Sequence, residues 1–283
     1  MSEFKADKPQ ELMKFLMETH PDVSRNKIKS WLANGMVCVN GENISQYNHP
    51  LAAGDTVTVV KSGTFLSQWM NIVYEDRYLL VVEKKEGILT HSLTLNDPSL
   101  QNILNDYLLF THQKCRAHVV HRLDRDTSGL LIFTKDKKVE LLFEKDWKGT
   151  VYDRRYVAVL SGQMQKEGTI ESYIRYEDDG RFTCSATDNG GKWAVTHYRT
   201  LKTNKRYSLV EFKLDTGRKN QIRIHSKVMG HPVVGDFRYL NYDDPIGRLG
   251  LHAYNLCFTH PVTGEDLRFE TPFPKKFMEL FGE

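Results

Sequence analysis

The densest set of side chains that could do chemistry is the run His118-Val119-Val120-His121-Arg122-Leu123-Asp124-Arg125-Asp126-Thr127-Ser128-Gly129. It lies between two apolar stretches, Val119-Val120 and Leu130 to Phe133, and charged loops held by buried strands are where function concentrates. Three chemistries fit these residue types. The charges could neutralise one another in an ordinary polar turn. His118, His121 and Asp124 are spaced like metal ligands. Asp124 could instead be a reactive carboxylate held by arginines. Against a metal, strand side chains alternate, so two histidines three positions apart face opposite ways. No further Glu or His cluster completes a shell, and no metal is expected.

Other polar runs follow. They are Arg155-Tyr156-Val157-Ala158-Val159-Leu160-Ser161-Gly162, then Thr216-Gly217-Arg218-Lys219-Asn220-Gln221-Ile222-Arg223-Ile224-His225, and Gly230-His231-Pro232 with Gly235-Asp236. Leu251-His252-Ala253 and His260-Pro261 with Thr263-Gly264 close the series. The stretch His121 to Gly129 resembles the H-R-L-D-x-x-T-S-G signature of the RluA-type pseudouridine synthases, and the later runs resemble that family's motifs in the same order. Two departures stand out. The family's K-P-x-G turn is here Lys84-Lys85-Glu86-Gly87, and losing the proline is expected to loosen it. The usual histidine of the arginine motif is Asn220, which can still donate a hydrogen bond.

The resemblance implies isomerisation of uridine to pseudouridine in RNA. The N1–C1′ bond breaks, the base turns, and it rejoins through C5, so no cofactor is required. It assigns Asp124 as the catalytic carboxylate, either nucleophile or base. Arg223 is its ion-pair partner, which would keep it charged in a water-poor pocket. Tyr156 lies against the uracil ring, with Ile222 as an apolar wall on the other side. Arg122 fills the space left by the flipped base, a role a planar guanidinium suits. Asp126 matches no catalytic position of the family; with Thr127 and Ser128 it reads as part of the turn that orients Asp124.

The elements that must position these groups form an α+β chain. The periodicity predicts paired strands over Val73-Tyr74-Glu75 and Tyr78 to Val82, and a helix on Leu100, Ile103, Leu104 and Tyr107. A buried strand follows at Leu130 to Phe133. Val139, Leu142, Phe143 and Trp147 mark one helix ended by Gly149. Strands at Tyr156 to Leu160 and Tyr207 to Leu214 precede a late helix with Ile222, His225 and Met229 on one face. Residues 63–283 are thus expected to be a catalytic domain with a central, mainly antiparallel sheet flanked by helices.

Residues 1–62 read as a separate small α/β module. Leu12, Phe15 and Leu16 share a helix face after Pro9. Ser24 is placed to cap a second helix, with Val23 and Ile28 as its staple and Gly35 at its C-terminal end. Asn40-Gly41 is a strong hairpin signal, Gly54-Asp55 turns into another strand, and Lys61 to Thr64 reads as a linker. The order of elements resembles the RNA-binding module of small-subunit ribosomal protein S-four. That resemblance makes Arg25, Lys27 and Lys29 phosphate contacts.

Bulk properties are compatible with this. Lys plus Arg number 39 against 36 acids, a net charge of +3, which alone favours a nucleic-acid partner only slightly. Cys38, Cys115, Cys184 and Cys257 are scattered, so a reduced, cytoplasmic setting is expected. No apolar run reaches the roughly 20 residues of a membrane helix. The expectation is a monomer acting on ribosomal RNA. Transfer RNA as the substrate, or a noncatalytic RNA-binding or ribosome-assembly protein, is the alternative.

Overall fold

The computed structural model describes residues 2–33, 36–59, 67–92, 99–111, 113–177, 182–239 and 242–282. Gly35 and the segment 61–64 lie outside the described residues, as does the side chain of Lys27. The chain divides into two compact units, 1–71 with 91–118 and 72–90 with 119–283.

In the first unit a four-stranded antiparallel sheet runs in the order Ser2–Lys5, Thr56–Val59, Val37–Val39, Glu42–Asn43. Its hairpin turns at Asn40 and Gly41, whose φ angles of +52° and +85° are those of a type I′ turn. The helix Leu12–Thr19 buries Leu12, Phe15 and Leu16 on one face. Residues 25–33 form the second helix; Ile28 is buried, and Val23 packs on the same core, as a staple should. Trp31 is partly buried there and meets the His20 ring edge-on at 5.2 Å. The opening strand Ser2–Lys5 was not anticipated. It has four residues, with Phe4 packed on the core, and it pairs with Thr56–Val59.

The second unit is built on one large sheet, as expected of the α+β class. Its main path runs Phe182–Ser185, Glu167–Tyr176, Lys192–Thr203, Tyr207–Leu214, Val151–Ser161, Leu251–Thr259, Ser128–Thr134, Leu79–Lys84, Met70–Glu75. The described pairings are antiparallel except one: Ser128–Thr134 runs parallel to Leu251–Thr259, with Gly129 opposite Ala253. A Cβ at position 129 would lie 2.1 Å from the Ala253 carbonyl oxygen, and φ there is +122°. Only glycine permits this approach, which explains the Ser-Gly end of the first polar run. Every residue of Ser128–Thr134 is buried, the signature of a strand covered on both faces.

Two expectations are corrected. The helix over residues 137–149 is two helices, Lys137–Lys145 and Trp147–Thr150. Asp146 leaves helical geometry (φ −144°, ψ 68°), and its carboxylate accepts from the Gly149 N–H at 2.9 Å. A side chain that caps a new helix ends the old one. The Lys84-Lys85-Glu86-Gly87 turn is not loosened. The Lys84 ammonium is fully buried and donates to the carbonyls of Lys85, Ile88 and Arg125 at 2.8–2.9 Å. Gly87 N–H also donates to the Arg125 carbonyl, at 2.9 Å. Burial pushes the Lys84 amine down to about 7, and the three carbonyls around it hold the turn in the absence of a proline.

Candidate active site

A pocket of about 430 Å³ in the second unit is lined by Arg122, Asp124, Arg154, Tyr156, Ile222 and Arg223, among others. Each wall has a local cause. Asp124 stands in a loop whose backbone is held on both sides. Thr90 Oγ1 donates to the Leu123 carbonyl at 2.8 Å and accepts from the Leu123 N–H at 3.1 Å. Arg125 is held through its carbonyl by Lys84 and Gly87, and the Thr127 N–H closes the turn on the Asp124 carbonyl at 3.2 Å.

The opposite wall is the helix Gln221–Val228, and its first residues divide the labour. Asn220 precedes it at φ +53°, a conformation asparagine tolerates. Gln221 uses its amide fully: Oε1 accepts from the Thr216 hydroxyl and the Arg218 N–H, and Nε2 donates to the Val195 carbonyl and Thr196 Oγ1, all at 2.8–2.9 Å. Ile222 is buried against the pocket. Ile224 turns the other way into the core with Ile174, Ala194 and Tyr239. His225 ties the helix to the sheet through Thr196 Oγ1 at 2.8 Å and Ser172 Oγ at 3.0 Å.

Arg223 is placed by these anchors. Its Nη1 donates to Asp124 Oδ2 at 3.1 Å and to Asn220 Oδ1 at 3.0 Å. Its Nε and Nη2 grip Asp236 at 2.8 and 2.7 Å, and its guanidinium lies 5.0 Å from the Tyr239 ring centre. Burial alone would lower the pKa of this arginine, but the Asp236 and Asp124 carboxylates outweigh it and raise it, so the charge is permanent. Asn220 also donates, to the Tyr239 hydroxyl at 2.8 Å. Along the sequence Asp236 stands out only as half of a Gly-Asp pair. A charged residue that will be 1% exposed gives no sign of that in its neighbours along the chain.

Tyr156 comes from the strand Val151–Ser161, whose pairing with Leu251–Thr259 slips between Arg155 and Tyr156. The extra residue there is Tyr254 on the partner strand, so Val151–Ser161 keeps its own alternation of side chains. Arg154 and Tyr156 face the pocket, while Arg155 pairs with Asp153 at 3.0 Å and Glu211 at 3.6 Å. Burial pushes the Tyr156 phenol up, partly opposed by Arg154. It is therefore a neutral hydroxyl and an apolar ring near neutral pH.

The structure brings Asp124, Tyr156, Arg223, Arg122 and Ile222 to one pocket. Arg25 and Lys29 belong to the first unit. Arg25 lines a shallow groove with Met13, Lys14, Met17 and Tyr47, and Lys29 lies 6.0 Å over the Tyr47 ring. His121 Nε2 accepts from the Ile132 N–H at 3.1 Å, and its Nδ1 is buried without a hydrogen-bond partner among the described residues. Burial, with the charge of Arg154, pushes its pKa down to about 3. Among the described residues no group of three His, Cys, Asp or Glu side chains is arranged to hold a metal ion. Nor is any described helix long and apolar enough to cross a membrane.

Comparison with known proteins agrees with this geometry. The family model described as RNA pseudouridylate synthase matches residues 78–227. Ribosomal large subunit pseudouridine synthase D of Neisseria meningitidis serogroup B is 34% identical over 282 residues, covering 93% of this chain and 75% of its own. The uncharacterized RNA pseudouridine synthase YlyB of Bacillus subtilis is 35% identical over 288 residues, covering 96% and 93%. Among solved structures, human RNA pseudouridylate synthase domain containing 1 superposes with a TM-score of 0.60 at 28% identity, over 72% of this chain and 83% of its own.

Proposed function

The chain belongs to the RNA pseudouridylate synthase family and isomerises uridine to pseudouridine in RNA; on that premise we propose that Asp124 is its catalytic carboxylate and ribosomal RNA its substrate. The observation that carries the assignment is the 3.1 Å pair between Arg223 and Asp124 inside the pocket. Asp124 is also the one carboxylate in the pocket wall among the described residues. A half-buried carboxylate fixed by a permanent cation is what attack on, or proton removal from, a flipped nucleotide requires. Tyr156 and Ile222 bracket the uracil ring, and exposed Arg122 at the pocket mouth takes the place of the extruded base. Ribosomal RNA is favoured over transfer RNA because relatives such as the Neisseria protein carry that substrate in their names.

Residues 63–283 carry catalysis in this reading, and residues 1–62 are an S-four-like module that grips RNA phosphates through Arg25, Lys27 and Lys29. The protein acts as a cytoplasmic monomer without a cofactor. The test is to map pseudouridines in cellular RNA with and without the gene, and with an Asp124→Asn copy restored. Loss of one or a few ribosomal sites, not rescued by that copy, is expected. If every site persists in the deletion, or the Asp124→Asn copy restores the missing ones, the reading fails.

A further inference from the structure

We propose that Arg154, laid on the face of Trp147, is the anchor for an RNA phosphate next to the flipped uridine. The inference rests on reading the pocket as the uridine site. The wall carries five cations, Arg122, Arg154, Arg218, Lys219 and Arg223, against the single carboxylate of Asp124 among the described residues. That carboxylate is engaged by Arg223, which Asp236 shares. Arg154 makes no ion pair with any described carboxylate, yet it is not simply splayed into water.

Its guanidinium lies 5.0 Å from the centre of the Trp147 ring. Trp147 is itself held, 5.1 Å from the His121 ring and partly buried against the core. An aromatic face fixes the plane of a guanidinium; one N–H group of Arg154 is directed to the Tyr156 hydroxyl, and the others remain to meet oxygens. The far end of the side chain reaches the loop that precedes the helix Gln221–Val228. A Cβ built on Gly217 would find Arg154 Nη2 at 3.8 Å and no other atom within 4 Å outside its chain neighbours. Arg154 therefore spans from the strand wall to the Gly217 loop, over space that a glycine leaves open.

The neighbours favour an anion there. His121 beside it is neutral, pushed down to about 3 by burial and by Arg154's own charge. Tyr156, two residues on, is a neutral phenol. A nucleotide whose base enters between Tyr156 and Ile222 must bring a phosphodiester on each side of its ribose. The planar, preorganised, carboxylate-free guanidinium at the pocket edge is suited to receive one of them through two parallel N–H···O bonds.

The probe is a single-stranded heptanucleotide RNA with one central uridine, together with copies in which each phosphate in turn is a neutral methylphosphonate. Binding is measured in the Asp124→Asn background, so that the RNA is not consumed. Turnover by that background alone tests the catalytic reading separately. Arg154→Gln should weaken the parent RNA about tenfold. It should also reduce the dependence of log Kd on log salt by ~0.7, the value for one single-strand phosphate contact. The methylphosphonate copy neutral at the contacted phosphate should bind the background protein about tenfold worse, and Arg154→Gln should then add nothing. Arg154→Lys keeps the charge and guards against a folding defect; it should recover the salt dependence but only part of the affinity. An equal Arg154→Gln effect on every methylphosphonate copy, or no effect on the parent RNA, overturns the assignment.

Discussion

Arg223 gives Asp236 two of its nitrogens, at 2.7 and 2.8 Å, and leaves Asp124 one, at 3.1 Å. The better geometry thus goes to the carboxylate outside the pocket. Asp236 is fully buried and has no access to substrate. Its bidentate grip fixes the plane of the guanidinium, and through it the direction in which Nη1 points. Two carboxylates on one cation also leave the trio with a net negative charge, so Asp124 keeps its electron density while being held in place.

Asp236→Asn should therefore lower kcat by about 10- to 100-fold with little change in KM, because it disturbs the orientation of a neighbour rather than a substrate contact. Asp236→Ala strips a buried cation of its main partner and should cost about 3–5 kcal/mol of stability. Steady-state kinetics and urea unfolding of both variants check this. Wild-type kcat in Asp236→Asn would remove the positioning role.

Asp124→Asn keeps shape and loses charge. Turnover should fall by at least ~10³-fold, towards the upper end of what a single acid–base group contributes. RNA affinity should stay within about twofold, since phosphate contacts supply most of it. Single-turnover rates and filter binding on the same RNA check the split.

Lys84→Met tests the turn that replaces the family's proline. The lost ammonium leaves the Lys85 and Ile88 carbonyls without that donor and removes one of two from Arg125. Unmatched buried carbonyls cost about 1–3 kcal/mol each, so the melting temperature should drop by several degrees. Because Arg125 adjoins Asp124, kcat should fall as well. A variant as stable and active as wild type would mean the turn holds itself.

Acid should weaken the fold through three histidines. Burial pushes His225 down to about 4 and His121 and His252 down to about 3, whereas an unfolded histidine titrates near ~6.5. Above that pH neither state binds the proton and full stability is present. As pH falls below it, the unfolded chain takes up a proton at each ring while the native chain does not, so stability is lost. At pH 5 this amounts to about 2 kcal/mol per ring. Unfolding midpoints in urea at pH 7 and pH 5 check it; His225→Gln should remove about a third of the histidine contribution. An identical pH response in that variant would contradict the assignment.

Arg25→Ala with Lys29→Ala should weaken RNA binding and flatten its salt dependence by about 1–2 in log–log slope, with kcat at saturating RNA unchanged. Point changes are cleaner than deleting residues 1–62, because residues 91–118 cluster with that segment in one compact unit. Unchanged Kd at every salt concentration would remove the RNA grip from this helix.

The pocket was legible where motif and pattern coincide. The Leu130 to Phe133 run, the Tyr207–Leu214 strand and the Asn40-Gly41 turn all announce themselves by apolar runs or by backbone demands. What stayed hidden depends on three dimensions. Lys84 and Asp236 look like surface charges until the fold encloses them and supplies three carbonyls to one and a guanidinium to the other. The helix break at Asp146 was hidden too. Periodicity counts apolar positions and cannot see a carboxylate turning back onto the Gly149 N–H.

The unbroken alternation of Arg154, Arg155 and Tyr156 makes this strand sensitive to length rather than to composition. Two arginines stand side by side there, and alternation sends one to the pocket and the other to Asp153 and Glu211. Deleting a single residue just before Arg154 would exchange their faces. The pocket would still receive an arginine, so its charge would survive. It would lose Tyr156 and gain Val157, the next residue of the same parity. A one-residue deletion here would therefore keep the positive charge of the pocket while removing the ring that frames the base.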